Sequence, residues 1–378
     1  MPPLFHGIRS LVVMKIIGVV LAGGLGSRLW PRGTDRKPKQ FTHVLGEGTM
    51  IQNTIMRLLP LIAVDDLRIV TTNDLQEHVY QQLPLVPANH VFCEPFGRNT
   101  GPSIALASML LKHQVGHDAV LVVLPSDHMI MNVRDFQTTL EQACIAAANT
   151  DAIVTIGVMP SRSETGYGYI QVGDIVTFSN TDLTNDVRRV KTFAEKPDLA
   201  TAQRFIDAGD FVWNSGIFVG RAGVIYNAVL EHLPDHAPLF IELERHIGKE
   251  TFSTVLEHAF RQMRSISFDV GVMERAKNVL VVDGSFGWSD VGTWDELYRL
   301  SMKDGRNNVI EGNVVTLQAN NCLVTSQSER MIGIVGVENL IVVDTDNSLM
   351  ICKRGKSEQV RDLIDLIRRR HIGNQKGH

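Results

Sequence analysis

Two hydrophobic rhythms divide this chain. In its first third, residues 16–21, 68–72, 91–93 and 119–124 form short apolar runs of the kind that predicts strands. The stretches between them carry a helical period. After Thr49, a candidate cap, apolar Ile51, Ile55, Leu58 and Leu59 recur at helical spacing, and residues 76–83 and 102–112 read as two further helices. Strand, helix and strand in this order predict a parallel α/β sheet. Residues 119–124 are apolar almost throughout, as suits a central strand covered on both faces. Ligands of such sheets sit beyond the carboxyl ends of the strands, and several polar motifs of this chain directly follow those ends.

The rhythm changes twice. Between residues 153 and 193 strands and turns prevail, with Gly166-Tyr167-Gly168-Tyr169-Ile170, a polar loop at 179–186 and a strand over 187–193. A helix over 199–208, a strand at 218–219 and a long helical region over 222–261 follow. Beyond residue 307 the apolar runs 309–310, 314–317, 322–324, 332–335, 340–343 and 349–352 are separated by Gly, Asn and Asp. Such spacing predicts a small all-β unit coiled as a solenoid. Val360, Leu363, Ile364 and Ile367 then mark a closing amphipathic helix. The Arg368-Arg369-Arg370 run suits that helix's C-terminus and reads as a solvated charge run. The expected division is an extension over 1–13, an α/β domain over 14–304 and a β unit with its terminal helix over 305–378.

Charge and cysteine content narrow the classes. The chain has 378 residues and a mass of 42.0 kDa, with a net charge of −4 and a pI near 6.4. Nucleic acid and anionic membrane are therefore not expected partners. Cys93, Cys144, Cys322 and Cys352 lie far apart with no CxxC spacing, so neither a zinc knuckle nor a disulfide framework is indicated, and a reducing cytoplasm fits best. The apolar run 11–21 is broken by Lys15 and leads straight into a glycine loop, unlike a signal peptide. Residues 1–13 read as dispensable, with Met14 as a second candidate start.

That loop, Leu21-Ala22-Gly23-Gly24-Leu25-Gly26-Ser27-Arg28, is the centre of the candidate chemistry. Its glycines let backbone amides approach a ligand, and free amides in such a turn form an anion site to which Arg28 and Lys39 add charge. A plain turn has no use for two fixed cations. A dinucleotide fingerprint would need glycine at Leu29, and a Walker loop would need Gly-Lys-Ser/Thr after four residues; both are absent. A polyphosphate is the expected guest.

Four further motifs have chemistry to offer. Ser126-Asp127-His128 follows the central strand, and Asp290 lies in Gly287-Trp288-Ser289-Asp290; one or two carboxylates with phosphate oxygens are the usual Mg²⁺ arrangement. The plain alternative for Asp127 is a cap on the next helix. Glu195-Lys196-Pro197 ends a strand, where Lys196 can meet a phosphate and Glu195 sugar hydroxyls. A surface ion pair is the ordinary alternative. Asn214-Ser215-Gly216, after Trp213, offers an amide and a glycine for close approach, or else a turn entering a strand.

The loop, followed by Leu29-Trp30-Pro31 and Pro38-Lys39-Gln40-Phe41, resembles the signature of sugar-1-phosphate nucleotidyltransferases, in the mannose-1-phosphate guanylyltransferase branch. The likeness runs from about Lys15 to Arg370. It implies a Rossmann-like mixed, mainly parallel α/β sheet with a small C-terminal all-β domain resembling a left-handed β-helix. It implies GTP and mannose 1-phosphate as substrates, GDP-mannose and pyrophosphate as products, and Mg²⁺ held by Asp127 and Asp290. Leu21, Ala22, Gly23, Gly24, Gly26, Ser27 and Ser126 would contact the nucleotide. Glu94, Arg98, Asn99 and Thr100 match a segment that lies by the base in that family, although Gly101 replaces its alanine. Gly168, Glu195, Lys196, Asn214 and Gly216 would line the sugar phosphate, and Arg28, Lys39 and Lys196 would act on the reacting phosphates. Two departures stand out: Arg32-Gly33-Thr34 where Leu-Ser-Arg is common, and Val270-Gly271 where Tyr-Ala is. The same chemistry on a heptose or glucose phosphate, and a catalytically silent GDP-sugar sensor, are the rival readings. The terminal β unit is open to two uses, a homodimer interface or packing on the larger domain.

Overall fold

The computed structural model describes residues 14–24, 26–44, 47–178 and 185–375. The extension expected over 1–13, Leu25, and most of the polar loop expected at 179–186 lie outside them. By contacts the chain forms two compact units: residues 1–24 with 54–289, and residues 25–53 with 290–378.

The larger unit is built on a nine-stranded sheet. Its strands are β1 (Ile16–Leu21), β2 (Leu67–Thr72), β3 (Val91–Glu94), β4 (Val120–Pro125), β6 (Ile153–Val158), β7 (Tyr169–Ile175), β8 (Val187–Ala194), β9 (Phe211–Arg221) and β10 (Val279–Gly284). The order is β3-β2-β1-β4-β9-β6-β10-β8-β7. β1 pairs in parallel with β2 and β4, and β10 with β6, whereas β8 and β9 run against their neighbours. The sheet is thus mixed and mainly parallel. A two-stranded ribbon of β5 (Met129–Ile130) and β11 (Trp288–Ser289) joins the segments after β4 and β10.

Helices cover the sheet, whose strands β1, β2 and β4 are buried along most of their length and, in β1 and β4, almost wholly apolar. α1 (Met50–Leu58) and α2 (Gln76–Gln82) precede α3 (Thr100–Val115), which is buried from Gly101 to Leu111 and packs on α6 (Ala222–His232) and α7 (Ala237–Glu244). α4 (Val133–Ala148), α5 (Leu199–Ala208) and α8 (Phe252–Gln262) complete the larger unit. The helical region expected over 222–261 is therefore three helices, broken by turns at residues 233–236 and 245–251.

One local expectation changes and one cap is set. Asn99 caps α3: its side chain accepts the Thr100 N–H at 2.8 Å, while the Thr100 hydroxyl accepts the Phe268 N–H at 2.9 Å. The strand expected at 218–219 begins at Phe211, so Trp213-Asn214-Ser215-Gly216 lies inside β9, at a register shift opposite Thr155 and Gly157. Glycine and asparagine suggested a turn, and the bulge is where they are used.

In the smaller unit, β12 (Val309–Glu311), β14 (Leu323–Ser326) and β16 (Leu340–Asp344) stack in parallel, with β17 (Leu349–Lys353) antiparallel on the end. β13 (Val314–Leu317) and β15 (Ile332–Val335) form a second parallel ladder. These coils enclose a small core of Cys322, Val324 and Val342. α9 (Trp294–Leu300) and α10 (Val360–Gln375) belong to the same unit.

Candidate active site

At the carboxyl end of β1 the glycine loop is moored on both sides. Ala22 N donates to Val70 O at 2.7 Å, Thr71 Oγ1 donates to Ala22 O at 3.1 Å, and Ser126 N donates to Leu21 O at 3.1 Å. The loop's first residues are thereby fixed to β2 and to the segment after β4, where Ser126 is buried. A Cβ on Gly23 would lie 3.6 Å from Glu94 Oε2, so the carboxyl at the end of β3 faces the glycine backbone. Glu94 is 2% exposed. Burial pushes its pKa up to about 8, against the opposing hydrogen bond that Ser103 Oγ donates at 2.7 Å. It is a mainly neutral acid at pH 7.

The rest of that segment is used for attachment. Arg98 Nε donates to Phe260 O at 2.8 Å, at the end of α8, and its guanidinium lies over the Phe96 ring, 4.8 Å from the centroid. Asn99 has a φ of 67°, a positive value that asparagine tolerates better than most residues. Gly101 N donates to Ile266 O at 3.0 Å, and a Cβ there would stand 2.8 Å from that oxygen. Glycine in place of the family's alanine thus permits a close crossing of the 266–268 segment.

A second cluster lies around β7, β8 and β9. β8 ends at Ala194, and Lys196 takes a φ of 48° with its N–H donating to Tyr167 O at 3.2 Å. This turn frees Glu195 and Lys196 from strand alternation. The Lys196 ammonium pairs with Glu195 Oε1, the lysine side chain being 56% exposed and the glutamate 13%. A Cβ on Gly168 would lie 2.6 Å from Glu195 Oε2 and 3.2 Å from Asn214 Cβ, so a side chain there would push the Glu195 carboxylate aside. Asn214 is locked on every side: its N–H donates to Gly168 O, its Oδ1 accepts from Thr155 Oγ1 and Gly216 N, and its Nδ2 donates to Asp269 Oδ1 at 2.7 Å.

Asp269 was not among the residues singled out by sequence. Burial, then the negative charge of Glu195, raises its pKa to about 6, with the Asn214 hydrogen bond and Lys196 opposing. In the sequence it stands in Ile266-Ser267-Phe268-Asp269, a stretch of the family likeness that could have pointed to it. An aromatic wall was also missed. The Tyr167 ring meets Trp213 and Trp288 edge-on, with centroids 5.2 and 4.9 Å apart, and Trp288 Nε1 donates to His128 Nδ1 at 3.2 Å. His128 in turn lies 3.7 Å from where a Cβ of Gly216 would be. Asp127, between Ser126 and His128, is not the cap of α4; Asn132 is, accepting the Asp135 N–H at 3.2 Å.

In the smaller unit, Gly26, Arg28, Lys39 and Asp290 come together. Gly26 has a φ of 49°, and a Cβ there would stand 2.8 Å from Lys39 Cβ. Lys39, 5% exposed, donates through Nζ to the Asp290 carbonyl. Gly292 N donates to Asp290 Oδ1 at 3.0 Å, and a Cβ on Gly292 would come within 3.1 Å of the Asp290 carboxylate and 3.4 Å of Arg28 Nη1. Between them Val291 has a φ of 45°, a strained conformation for a β-branched residue. Ser27 belongs to the short helical turn Ser27–Leu29 that carries Arg28. No cluster of three or more His, Cys, Asp or Glu side chains able to hold a metal occurs among the described residues.

Comparison with known proteins covers most of the chain. The nucleotidyl transferase family matches residues 17–307, and the mannoseP isomerase/GMP-like beta-helix domain matches residues 312–366. The mannose-1-phosphate guanylyltransferase of Salmonella muenchen is 36% identical over 96% of this chain and 76% of its own length. The alginate biosynthesis protein AlgA of Pseudomonas aeruginosa is 36% identical over 92% of this chain and 71% of its own. A crystal structure from Thermus thermophilus, described as a mannose-1-phosphate geranyltransferase, superposes with a TM-score of 0.82 at 29% identity, covering 94% of this chain and all of that one. Among the described residues no helix is long and apolar enough to cross a membrane.

Proposed function

The chain belongs to the nucleotidyl transferase family, among the mannose-1-phosphate guanylyltransferases, and from that premise we propose that it converts GTP and α-D-mannose 1-phosphate into GDP-mannose and pyrophosphate. The observation that carries this reading is the near-full-length likeness to the Salmonella enzyme. An oxygen of the sugar phosphate attacks the α-phosphorus in line. The new P–O bond forms as the bond to the bridging oxygen of the β-phosphate breaks, and pyrophosphate leaves with that electron pair. A phosphate monoester is already ionised at neutral pH, so no Ser, Cys or His nucleophile is required. The residues' work is positional and electrostatic.

In this reading Gly23, Gly24, Gly26 and Arg28 hold the β- and γ-phosphates, and Lys39 faces the α/β region. Lys196 exchanges its Glu195 partner for the sugar phosphate, while Glu195, Asn214 and the glycines beside them meet the sugar. Glu94 offers the carbonyl oxygen of its neutral carboxyl to one donor of the guanine N1–H and N2–H₂ edge. Asp127 and Asp290 would supply the hard oxygen donors that suit Mg²⁺. When bound, such an ion neutralises charge on the phosphoryl oxygens and the leaving pyrophosphate.

The deciding experiment measures pyrophosphate release with Mg²⁺ from four nucleotides, GTP, ATP, UTP and CTP, each against mannose, glucose and heptose 1-phosphates. Release confined to GTP with mannose 1-phosphate is expected. Preference for another sugar would keep the chemistry and move the substrate, and GDP-mannose binding without any turnover would overturn the enzymatic reading. Asp290→Asn should lower turnover by on the order of 10²–10³, and an unimpaired variant would sink the metal assignment.

A further inference from the structure

Arg32 is an oddity in both sequence and structure. It stands where Leu-Ser-Arg is common among the proteins this chain resembles, yet its side chain is 1% exposed. A guanidinium is not buried without partners. Its Nη2 pairs with Glu311 Oε2 at 2.7 Å, at the end of β12, and also donates to Thr325 Oγ1 on β14. Nη1 donates to His43 O at 3.3 Å. The guanidinium lies over the Trp294 ring, 5.8 Å from its centroid, and Trp294 Nε1 donates back to Trp30 O at 2.9 Å. Burial alone would raise the Glu311 carboxyl, but hydrogen bonds from Thr325 and Arg32 with the charges of Arg32 and His43 hold it below its ordinary value.

The neighbouring departure completes the device. A Cβ on Gly33 would stand 3.0 Å from Gly26 O and 3.6 Å from Lys39 N. The loop therefore closes on itself at Gly33, bringing Gly26 against Lys39, and is fastened to the β coils one residue earlier.

We propose that Arg32 is a positioning residue: gripped by Glu311 and Thr325, it makes the terminal β unit part of the scaffold that holds Arg28 and Lys39 ready for a triphosphate. The inference rests on the assignment of those two cations to GTP. It assigns the β unit a part in nucleotide binding, exerted through the loop.

The test uses full-length Arg32→Met, Arg32→Lys and Glu311→Gln. KM for GTP and for mannose 1-phosphate, and Kd for GTP alone by calorimetry, are measured well below each variant's unfolding midpoint. Arg32→Met and Glu311→Gln are expected to raise KM and Kd for GTP about tenfold, as loss of a charge-assisted bond would, with KM for the sugar phosphate unchanged. Arg32→Lys, which keeps the charge without the planar fork, should recover only part of the loss. An unchanged GTP affinity overturns the proposal, and so does an equal rise in both KM values, the sign of general loosening. Should Arg32→Met fail to fold, Glu311→Gln decides, because the Glu311 side chain is 60% exposed and tolerates the change. A wild-type chain that binds GTP without turnover would remove the enzymatic reading and leave the latch to be judged on Kd. A chain that binds no GTP at all would overturn both.

Discussion

Glu94 and Asp269 are both buried acids whose pKa values burial raises, yet one has few polar neighbours and the other sits in a field of charges. Among the described residues Glu94 has the Ser103 hydroxyl as its side-chain partner and a glycine loop in front of it. Asp269 is held by Asn214 and feels Glu195 and Lys196. On the roles proposed above, the difference would fit two recognition tasks. A neutral, dry acid suits hydrogen bonding to the edge of an uncharged base, where a mismatch leaves a buried group unsatisfied. A site that must admit an anionic phosphate needs a cation whose resting partners can release it. The two regions share one connection. Ile266 N donates to Arg98 O, Gly101 N to Ile266 O, and Phe268 N to Thr100 Oγ1, one residue before Asp269.

The comparison breaks most visibly at Lys196. Lys196→Met should lower kcat/KM for the sugar phosphate by on the order of 10²–10³ while leaving the Kd for GTP unchanged; a matching loss of GTP affinity would show that the two regions are not separate. Glu94→Leu comes next. It removes the carbonyl acceptor at similar volume, and should cut the preference for GTP over ATP by roughly 10- to 100-fold, the worth of a buried mismatch, with KM for the sugar phosphate as the control.

The pH behaviour sharpens the contrast. Folding raises Glu94 from 4.5 to about 8, so between those values the folded chain binds more protons than the unfolded one. Stability is therefore lost as pH rises through that window, by at most about 1.4 kcal/mol per unit. Denaturant titrations at several pH values should show this slope in the wild type and a flatter one in Glu94→Gln. For Asp269 the window is narrower, from 3.8 to about 6. Asp269→Asn should then be more stable than the wild type above pH 6, by up to about 3 kcal/mol, and equal to it below pH 4. Equal stability at pH 7 would mean that the charged neighbours fully compensate the burial. The smallest effect is expected at the connection itself: Thr100→Val removes the acceptor for Phe268 N–H and should cost about 1–2 kcal/mol, read as a lowered unfolding midpoint.

Much of this molecule is written locally in its chain. The apolar runs that become β1 to β4, the helical period of α1 to α3, the glycine loop and the regular short strands after residue 307 all follow from periods of two and 3.6 and from glycine's freedom. Those are properties of neighbouring residues, so the sequence by itself determined them, along with the order of the motifs. Other features arise from pairs of residues far apart. The reversed course of β9 and the bulge that uses Asn214 and Gly216 depend on pairing with β4 and β6. The closure of Asn214 by Asp269, the Tyr167, Trp213 and Trp288 wall, and the neutral state of Glu94 depend on what surrounds each side chain once water is gone. Arg32 is the sharpest case. As a letter in a loop it was only a departure from pattern, and the tertiary structure alone supplied Glu311, Thr325 and Trp294, because burial of a guanidinium is decided by partners that no local period can specify.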